Sequence, residues 1–435
     1  MKSDYNCFIC ILWVLANGLT SCYAQKNISR QADQLINDSI IRHAHIGISI
    51  YEPASGKYLF THDAEKYFVP ASNTKLFSLF AGLTILGDSI PALKIYELED
   101  KVVIEGMGDP TLLHPDYPKQ PVLEFLGKVT KPIFYINPWQ ENAWGHGWSW
   151  DDFSDDYMAE RSLLPVYGNV IRFKGNSQQH YFPRLKDSLA GFIYSGNQFI
   201  SRVKRDRYSN QYIIEANGKS AVALEVPFIS SPALNMQLLS DTLHKSIRLL
   251  MDTSEIRKQP YHILYSRPID SMYTPMMHRS DNFFAEQVLL MSSNVRLGYM
   301  ADKAIIENLL NNELKNLPQP PQWVDGSGLS RYNLFSPNDM IYVLDALRKN
   351  FGMPRLKQTL ATGGTGTLKY YYRNATDSIF AKTGTLSNHV SLSGYIISRK
   401  EKLLLFSVMV NLYNSGATPV RRQVESFLEK IRMEN

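Results

Sequence analysis

A serine hydroxyl becomes a useful nucleophile only when a base sits beside it, and Ser72-Asn-Thr-Lys75 offers such a pair within one helical turn. The i to i+3 spacing stacks Lys75 over Ser72 on one face of the helix start. Lys75 can take the proton only when it is neutral. Moving a lysine from its ordinary range to near neutrality changes the balance of its two states by roughly 4 kcal/mol. Burial, a nearby cation and a helix N-terminus all push in that direction, and the helix end contributes only about 0.3–2 kcal/mol. A second positive group is therefore wanted, and Lys382 of Lys382-Thr-Gly384 is the candidate. Serine before an apolar helix is also a good N-cap, so residue type alone leaves both readings of Ser72 open.

Two more segments complete a constellation. Ser280-Asp-Asn282 stands at a polar break before the apolar run Phe283–Leu290. Ser280 can relay a proton toward a leaving amine while the Asn282 amide holds a peptide backbone; a helix cap is the alternative. Lys382-Thr-Gly384-Thr385 precedes the apolar stretch Val390–Ile397. Glycine at a strand start admits a close backbone approach, and Lys382 with Thr383 can bind a peptide's terminal carboxylate. The N–H groups of Ser72 and Thr385 would form an oxyanion hole, each such donor contributing about 2.7–4 kcal/mol to the rate. A second serine–lysine pair, Ser201 and Lys204, falls in the charge run Arg202–Arg207 and is read as solvated.

These residues need elements to hold them. Helical periodicity runs over Asn27–Ile41, Asn73–Leu86, Pro232–Leu250, Tyr273–Met291, Ala301–Leu314 and Pro419–Arg432. Strands are expected at Ile46–Tyr51 and Tyr58–Phe60 around the turn Pro53–Gly56, and at Val390–Ile397 and Leu403–Val410. Between Pro91 and Ser231 short β-like runs alternate with Gly, Pro and Asp turns. The order predicts an α/β (α+β) domain made from residues 25–92 and 232–435, interrupted by a β-rich insertion over 93–231. Trp139, Trp144, Trp148 and Trp150 are expected to build a small core.

The 435 residues carry a net charge of +5, too dispersed to argue for nucleic acid. Lys2, the apolar run Cys7–Leu19 and small residues up to Ala24 have the layout of a secretory signal, residues 1–24. Cleavage after Ala24 and lipidation at Cys22, within Leu19-Thr-Ser-Cys22, are both open. The expected location is the periplasm or cell envelope, with membrane contact only through a lipidated Cys22. All three cysteines, Cys7, Cys10 and Cys22, lie in this segment, which leaves a mature chain without thiol chemistry. His43 and His45 form no zinc motif, so neither metal nor cofactor is expected.

Longer segments surround the three motifs: Gly106–Leu112, Gly147–Asp152, Asp325–Arg331, Thr362–Leu368 and Ala381–Leu386. With them the chain, from about Asn27 onward, resembles the class C low-molecular-mass penicillin-binding proteins. This is the D-alanyl-D-alanine carboxypeptidase/endopeptidase family typified by penicillin-binding protein 4. The resemblance implies a transpeptidase/β-lactamase-like domain, helices around an antiparallel sheet, split by an insertion between the first two motifs. It implies a serine peptidase that acylates on Ser72 and acts on peptidoglycan stem peptides, with β-lactam antibiotics as covalent inhibitors. Ser72, Lys75, Ser280, Asn282 and Lys382 take the catalytic roles, with Thr383, Gly384 and Thr385 on the substrate. Arg331 and Asp152 match segments that face the substrate and would contact the charged third stem residue. A serine β-lactamase would need a water-activating group, for which Glu307 in Glu307–Asn311 is the one offered. A non-cutting muropeptide receptor is the remaining rival, opposed by three intact motifs.

Overall fold

The protein is described by a computed structural model covering residues 26–175, 181–196, 198–220 and 223–435. The signal-like segment, with Cys7, Cys10, Cys22 and Ala24, lies outside the described residues.

Both ends of the chain build one six-stranded sheet. Strands β1 (His45–Glu52) and β2 (Lys57–His62) come first; β14 (Ala361–Thr362), β15 (Ile379–Leu386), β16 (His389–Ile397) and β17 (Leu403–Asn411) come last. Their order is β14-β15-β16-β17-β1-β2, antiparallel at every pairing. The period-two alternation of β17 decides what covers each face. Leu405 and Met409 enter the cluster formed by α2 (Lys75–Ile85), α5 (Asp270–His278), α6 (Asn282–Leu297), α7 (Asp302–Asn311) and α8 (Pro337–Phe351). Leu404, Phe406, Val408 and Val410 point to the opposite layer, formed by the helix over 26–36 and α10 (Ala417–Glu434). A helix–sheet–helix sandwich follows.

The insertion departs from the expected boundary. Strands β3 (Ser89–Glu97), β4 (Val102–Gly106) and β5 (Ile133–Ile136) are joined by β12 (Ile247–Leu249) and β13 (His262–Pro268), in the order β12-β5-β4-β3-β13. The return at residue 232 is therefore too early. Leu234, Leu238 and Leu239 of α4 (Pro232–Leu243) are buried in the same apolar cluster as Leu93, Ile95 and Ile104. Two three-stranded sheets complete this block: β8 (Gly191–Ser195), β10 (Gln211–Glu215) and β9 (Arg202–Arg205), and β11 (Ala223–Pro227), β6 (Val170–Lys174) and β7 (Tyr181–Phe182). The expected solvated run at Arg202–Arg207 includes β9, where Arg205 is buried and donates to Pro227 O at 2.8 Å.

Three expected helices are shorter than their periodicity. The first ends at residue 36, since Asn37-Asp38-Ser39 bond locally instead: Asp38 Oδ1 accepts from Ile40 N–H at 2.9 Å. α4 stops where His244 turns left-handed, and Tyr273–Met291 divides at Ser280 into α5 and α6. The tryptophans do not form one core. Trp148 is half-buried, and Trp150 is 63% exposed, with Arg207 4.8 Å above its ring.

α2 is apolar almost throughout, and Phe77 packs on Phe335 (centroids 4.4 Å apart) and Trp323 (5.5 Å). Phe77→Ala is expected to cost about 3–5 kcal/mol by urea unfolding. Removal of Tyr208, 82% exposed, should stay within about 0.5 kcal/mol. Equal effects would mean that α2 is not anchored by this aromatic trio.

Candidate active site

Ser72 lies in the 3-10 turn Ala71–Thr74 that runs directly into α2. The cap positions fall to Pro70 and Thr74, neither with a side-chain capping bond. Lys75 Nζ stands 3.0 Å from Ser72 Oγ. Two further contacts saturate the amine: Asn282 Oδ1 at 2.6 Å and Ser327 O at 2.7 Å. The cap of α6 is Asp281, which accepts from Phe284 N–H at 3.0 Å. Ser280 is thereby left free, and Lys382 Nζ donates to its Oγ at 2.8 Å and to Thr383 O at 2.7 Å. Ser72, Lys75, Ser280, Asn282 and Lys382 are thus joined by two short chains of hydrogen bonds.

Sterics press these groups together. Ala71 and Ser280 both hold positive φ, +47° and +63°, conformations that a side chain disfavours. Each strained turn rests on a glycine from another motif. A Cβ on Gly328 would overlap Ala71 O, and one on Gly366 would lie 2.6 Å from His278 O. Gly384, in β15, backs onto the nucleophile: a Cβ there would lie 2.6 Å from Pro70 O and 3.1 Å from Ser72 N. Lys-Thr-Gly is therefore inside the strand rather than ahead of it. β14 begins at Ala361, opposite Ala381, so Thr383–Leu386 has no strand partner on its outer edge among the described residues.

Burial governs the electrostatics. It holds the Lys75 ammonium down at about 8, while Asp325, Glu286 and Asp281 pull the other way. Lys382 is held well below the usual lysine range, by burial first and by the charge of Lys75 second. Like charge thus acts between the two lysines, as expected, and the carboxylates near Lys75 favour a proton there. The carboxylates are themselves tightly placed. Asp325 accepts from Gly328 N–H, Asn333 Nδ2, Ser330 N–H and Trp148 Nε1 at 2.7–2.9 Å. Glu286, one turn after Asn282, accepts from Ser327 N–H at 2.7 Å and is pushed up to about 7 by burial and the Asp325 charge. Arg161 lies 3.5 Å from it and also binds Asp302. The sequence signal for Glu286 was a lone carboxylate inside Phe283–Leu290.

The inserted block supplies one wall. Asn282 Nδ2 donates to Tyr157 O at 3.0 Å, and the Tyr157 hydroxyl binds Asp155 at 3.0 Å. A cavity of about 330 Å³ opens beside Ser280 and Asn282, lined also by Asp116, Asp156, Arg172 and Arg279. Asp152 lies on the same wall, near enough to Arg331 for the guanidinium to oppose the upward push that burial gives its carboxyl. Arg331 Nη1 contacts Ser387 O and His389 Nδ1, each at 3.2 Å, just past β15. Glu307 stands apart on an exposed face of α7, 3.9 Å from Lys303.

The chain is 22% identical to a penicillin-sensitive carboxypeptidase A of Dictyostelium discoideum, over 83% of this chain and 82% of that one. It is 23% identical to a D-alanyl-D-alanine carboxypeptidase of Actinomadura sp. (strain R39), over 90% and 82%. Its fold matches penicillin binding protein 4 of Haemophilus influenzae with a TM-score of 0.72 at 17% identity, covering 94% of this chain and all of that one. A predatory endopeptidase of Bdellovibrio bacteriovorus matches with a TM-score of 0.53 at 14% identity, covering 89% and 93%. The sequence profile of one family spans residues 28–181 and 231–431, nearly the whole of the described chain. The chain belongs to the D-Ala-D-Ala carboxypeptidase 3 (S13) family.

Proposed function

We propose that the protein is a penicillin-sensitive serine D-Ala-D-Ala carboxypeptidase, with D,D-endopeptidase action on cross-links through the same groups, and that its substrates are peptidoglycan stem peptides. The observation that carries this reading is a fully buried Lys75 whose Nζ lies 3.0 Å from Ser72 Oγ. Family membership and the penicillin-sensitive relative support it. The layout of residues 1–24 supports export to the cell envelope, where such substrates are found.

The chemistry follows from two amines that share one proton. The carboxylates near Lys75 favour the proton there, and burial with the Lys75 charge disfavours it on Lys382. A substrate carboxylate arriving beside Lys382 favours the charged form of that amine, and like-charge repulsion then frees Lys75 to act as base. Lys75 takes the Ser72 proton while Oγ attacks the carbonyl carbon of the penultimate D-Ala. The N–H groups of Ser72 and Thr385 hold the oxyanion. The proton passes by Ser280 to the leaving amine as the C–N bond breaks, giving free D-Ala and an ester on Ser72. Water then attacks the ester, Lys75 again takes a proton, and Ser72 Oγ leaves. Asn282 holds the peptide backbone of the acyl part, and Asp152 with Arg331 receives the charged third residue. A β-lactam forms the same ester, and its tethered leaving group stays in place and hinders water. Glu307 lies on an exposed helix face, so its position gives no support to a β-lactamase reading.

Mass spectrometry of purified pentapeptides and cross-linked dimers tests the assignment. Loss of one D-Ala, or dimers falling to monomers, is expected from wild type, and Ser72→Ala should lower the rate by about 10³-fold or more. Benzylpenicillin should leave a long-lived adduct on Ser72. Rapid release of hydrolysed drug would favour a β-lactamase, and no adduct with no cleavage would favour a receptor.

The rate of penicillin acylation against pH reports the base. Only neutral Lys75 accepts the proton, so the rate should rise as pH rises through about 8. Glu286→Gln keeps an acceptor for Ser327 N–H and removes a charge that holds the Lys75 proton. Its midpoint should move down by about one pH unit. A midpoint that stays put would assign the titration to another group.

A further inference from the structure

The open edge of β15 gives a bound peptide access to both faces of the sheet. Lys382 reaches Ser280 on the helical side, and the Cβ direction of Gly384 meets Pro70 and Ser72 on that side too. Thr383 and Thr385 alternate to the other face, which α10 covers. There Arg421, in the second turn of α10, donates from Nη2 to Thr385 Oγ1. Arg421 is half-buried and shares a hollow with Thr383, Tyr372 and Leu392. Among the described residues no carboxylate pairs with it. Its neighbour Arg422 makes the contrast, bound to Glu425 and stacked 4.4 Å from the Tyr371 ring.

We infer that Arg421 is the site's anchor for the carboxylate of the leaving residue, and so selects substrates whose scissile bond is followed by a free acid. The inference rests on the peptidase reading above. Lys382 alone is a poor anchor, because two of its hydrogens already go to Ser280 Oγ and Thr383 O. A guanidinium stays charged where a buried amine gives up its proton, and its planar fork matches a carboxylate with two parallel hydrogen bonds. Thr385 holds that fork at the strand that must receive the substrate. A carboxylate lying over the Thr383–Thr385 edge would be bound by Arg421 from one face while Ser72 works from the other.

Two acyl-D-alanyl thioesters test this, one releasing thioglycolate with its free carboxylate and one releasing its methyl ester. Both are reactive enough to report acylation in wild type, Arg421→Gln and Arg421→Lys. Arg421→Gln should lower kcat/KM for the carboxylate substrate about 10- to 100-fold and leave the ester within about twofold. Arg421→Lys should recover part of the loss. An equal loss on both substrates would reduce Arg421 to a pin between α10 and β15 and overturn the inference, as would no loss on either. D-Ala release from a D-Ala-D-Ala peptide by wild type is measured alongside. If that release is absent, the peptidase reading falls and the anchor falls with it; if present, only the ratio of the two thioesters decides.

Discussion

An amine with no water around it must find its acceptors in the protein, because an unpaired buried polar group costs several kcal/mol at worst and about 1–3 kcal/mol in typical sites. Lys75 finds three, and they come from three distant stretches: the turn before α2, the start of α6 and the loop at Ser327. Satisfying one side chain therefore docks α2 against α6 and closes the Asp325–Arg331 loop over both. The same contacts that remove water from Lys75 also bring it into the range where it can exchange a proton. Stability and reactivity here share a cause.

Backbone strain is distributed around that amine in an ordered way. Ala71 precedes Ser72, and Ser280 accepts from Lys382; Ala71 and Ser280 both stand in left-handed conformations that cost about 1–3 kcal/mol each. Neither would persist without a surface to press on. Gly328 and Gly366 supply those surfaces from Asp325–Arg331 and Thr362–Leu368, segments that hold none of the serines and lysines of the site. This gives a physical reason for motifs that contain no reactive group. They are the moulds in which two reactive turns are held.

The serine, the two lysines, the relay and the amide were legible from the sequence because each sits at a break between polar and apolar text, where residue type and helical spacing carry information. The sandwich was legible for the same reason: β1, β16 and β17 alternate cleanly. Other features were not. Lys-Thr-Gly reads as a strand start, and only its register against Ser393, Leu392 and Ser391 shows it to lie well inside β15. Helix α8, with its Ser336 and Asp339 capping box, was passed over although the cap was written in the sequence. Glu286, Arg161 and Asp325 form a buried charge network whose members are 125 and more residues from Arg161 in sequence, so no local pattern could pair them. The boundary of the inserted block failed likewise, since β13 joins β3 across a long stretch of chain.

Among the described residues β1 is the first strand to be made and its partner β17 the last, pairing over seven positions from His45 opposite Asn411 to Tyr51 opposite Leu405. Until Leu403–Asn411 exists, β1 and β2 form an isolated hairpin with one face of apolar residues uncovered, and such a pair is marginal in water. The site-bearing domain therefore has no folded form in a nascent or truncated chain. The sheet cannot be completed until β17 is made, whereas the inserted block is whole earlier, so assembly runs from the middle of the chain outward. A chain built in this way carries no assembled site until its last strand is in place.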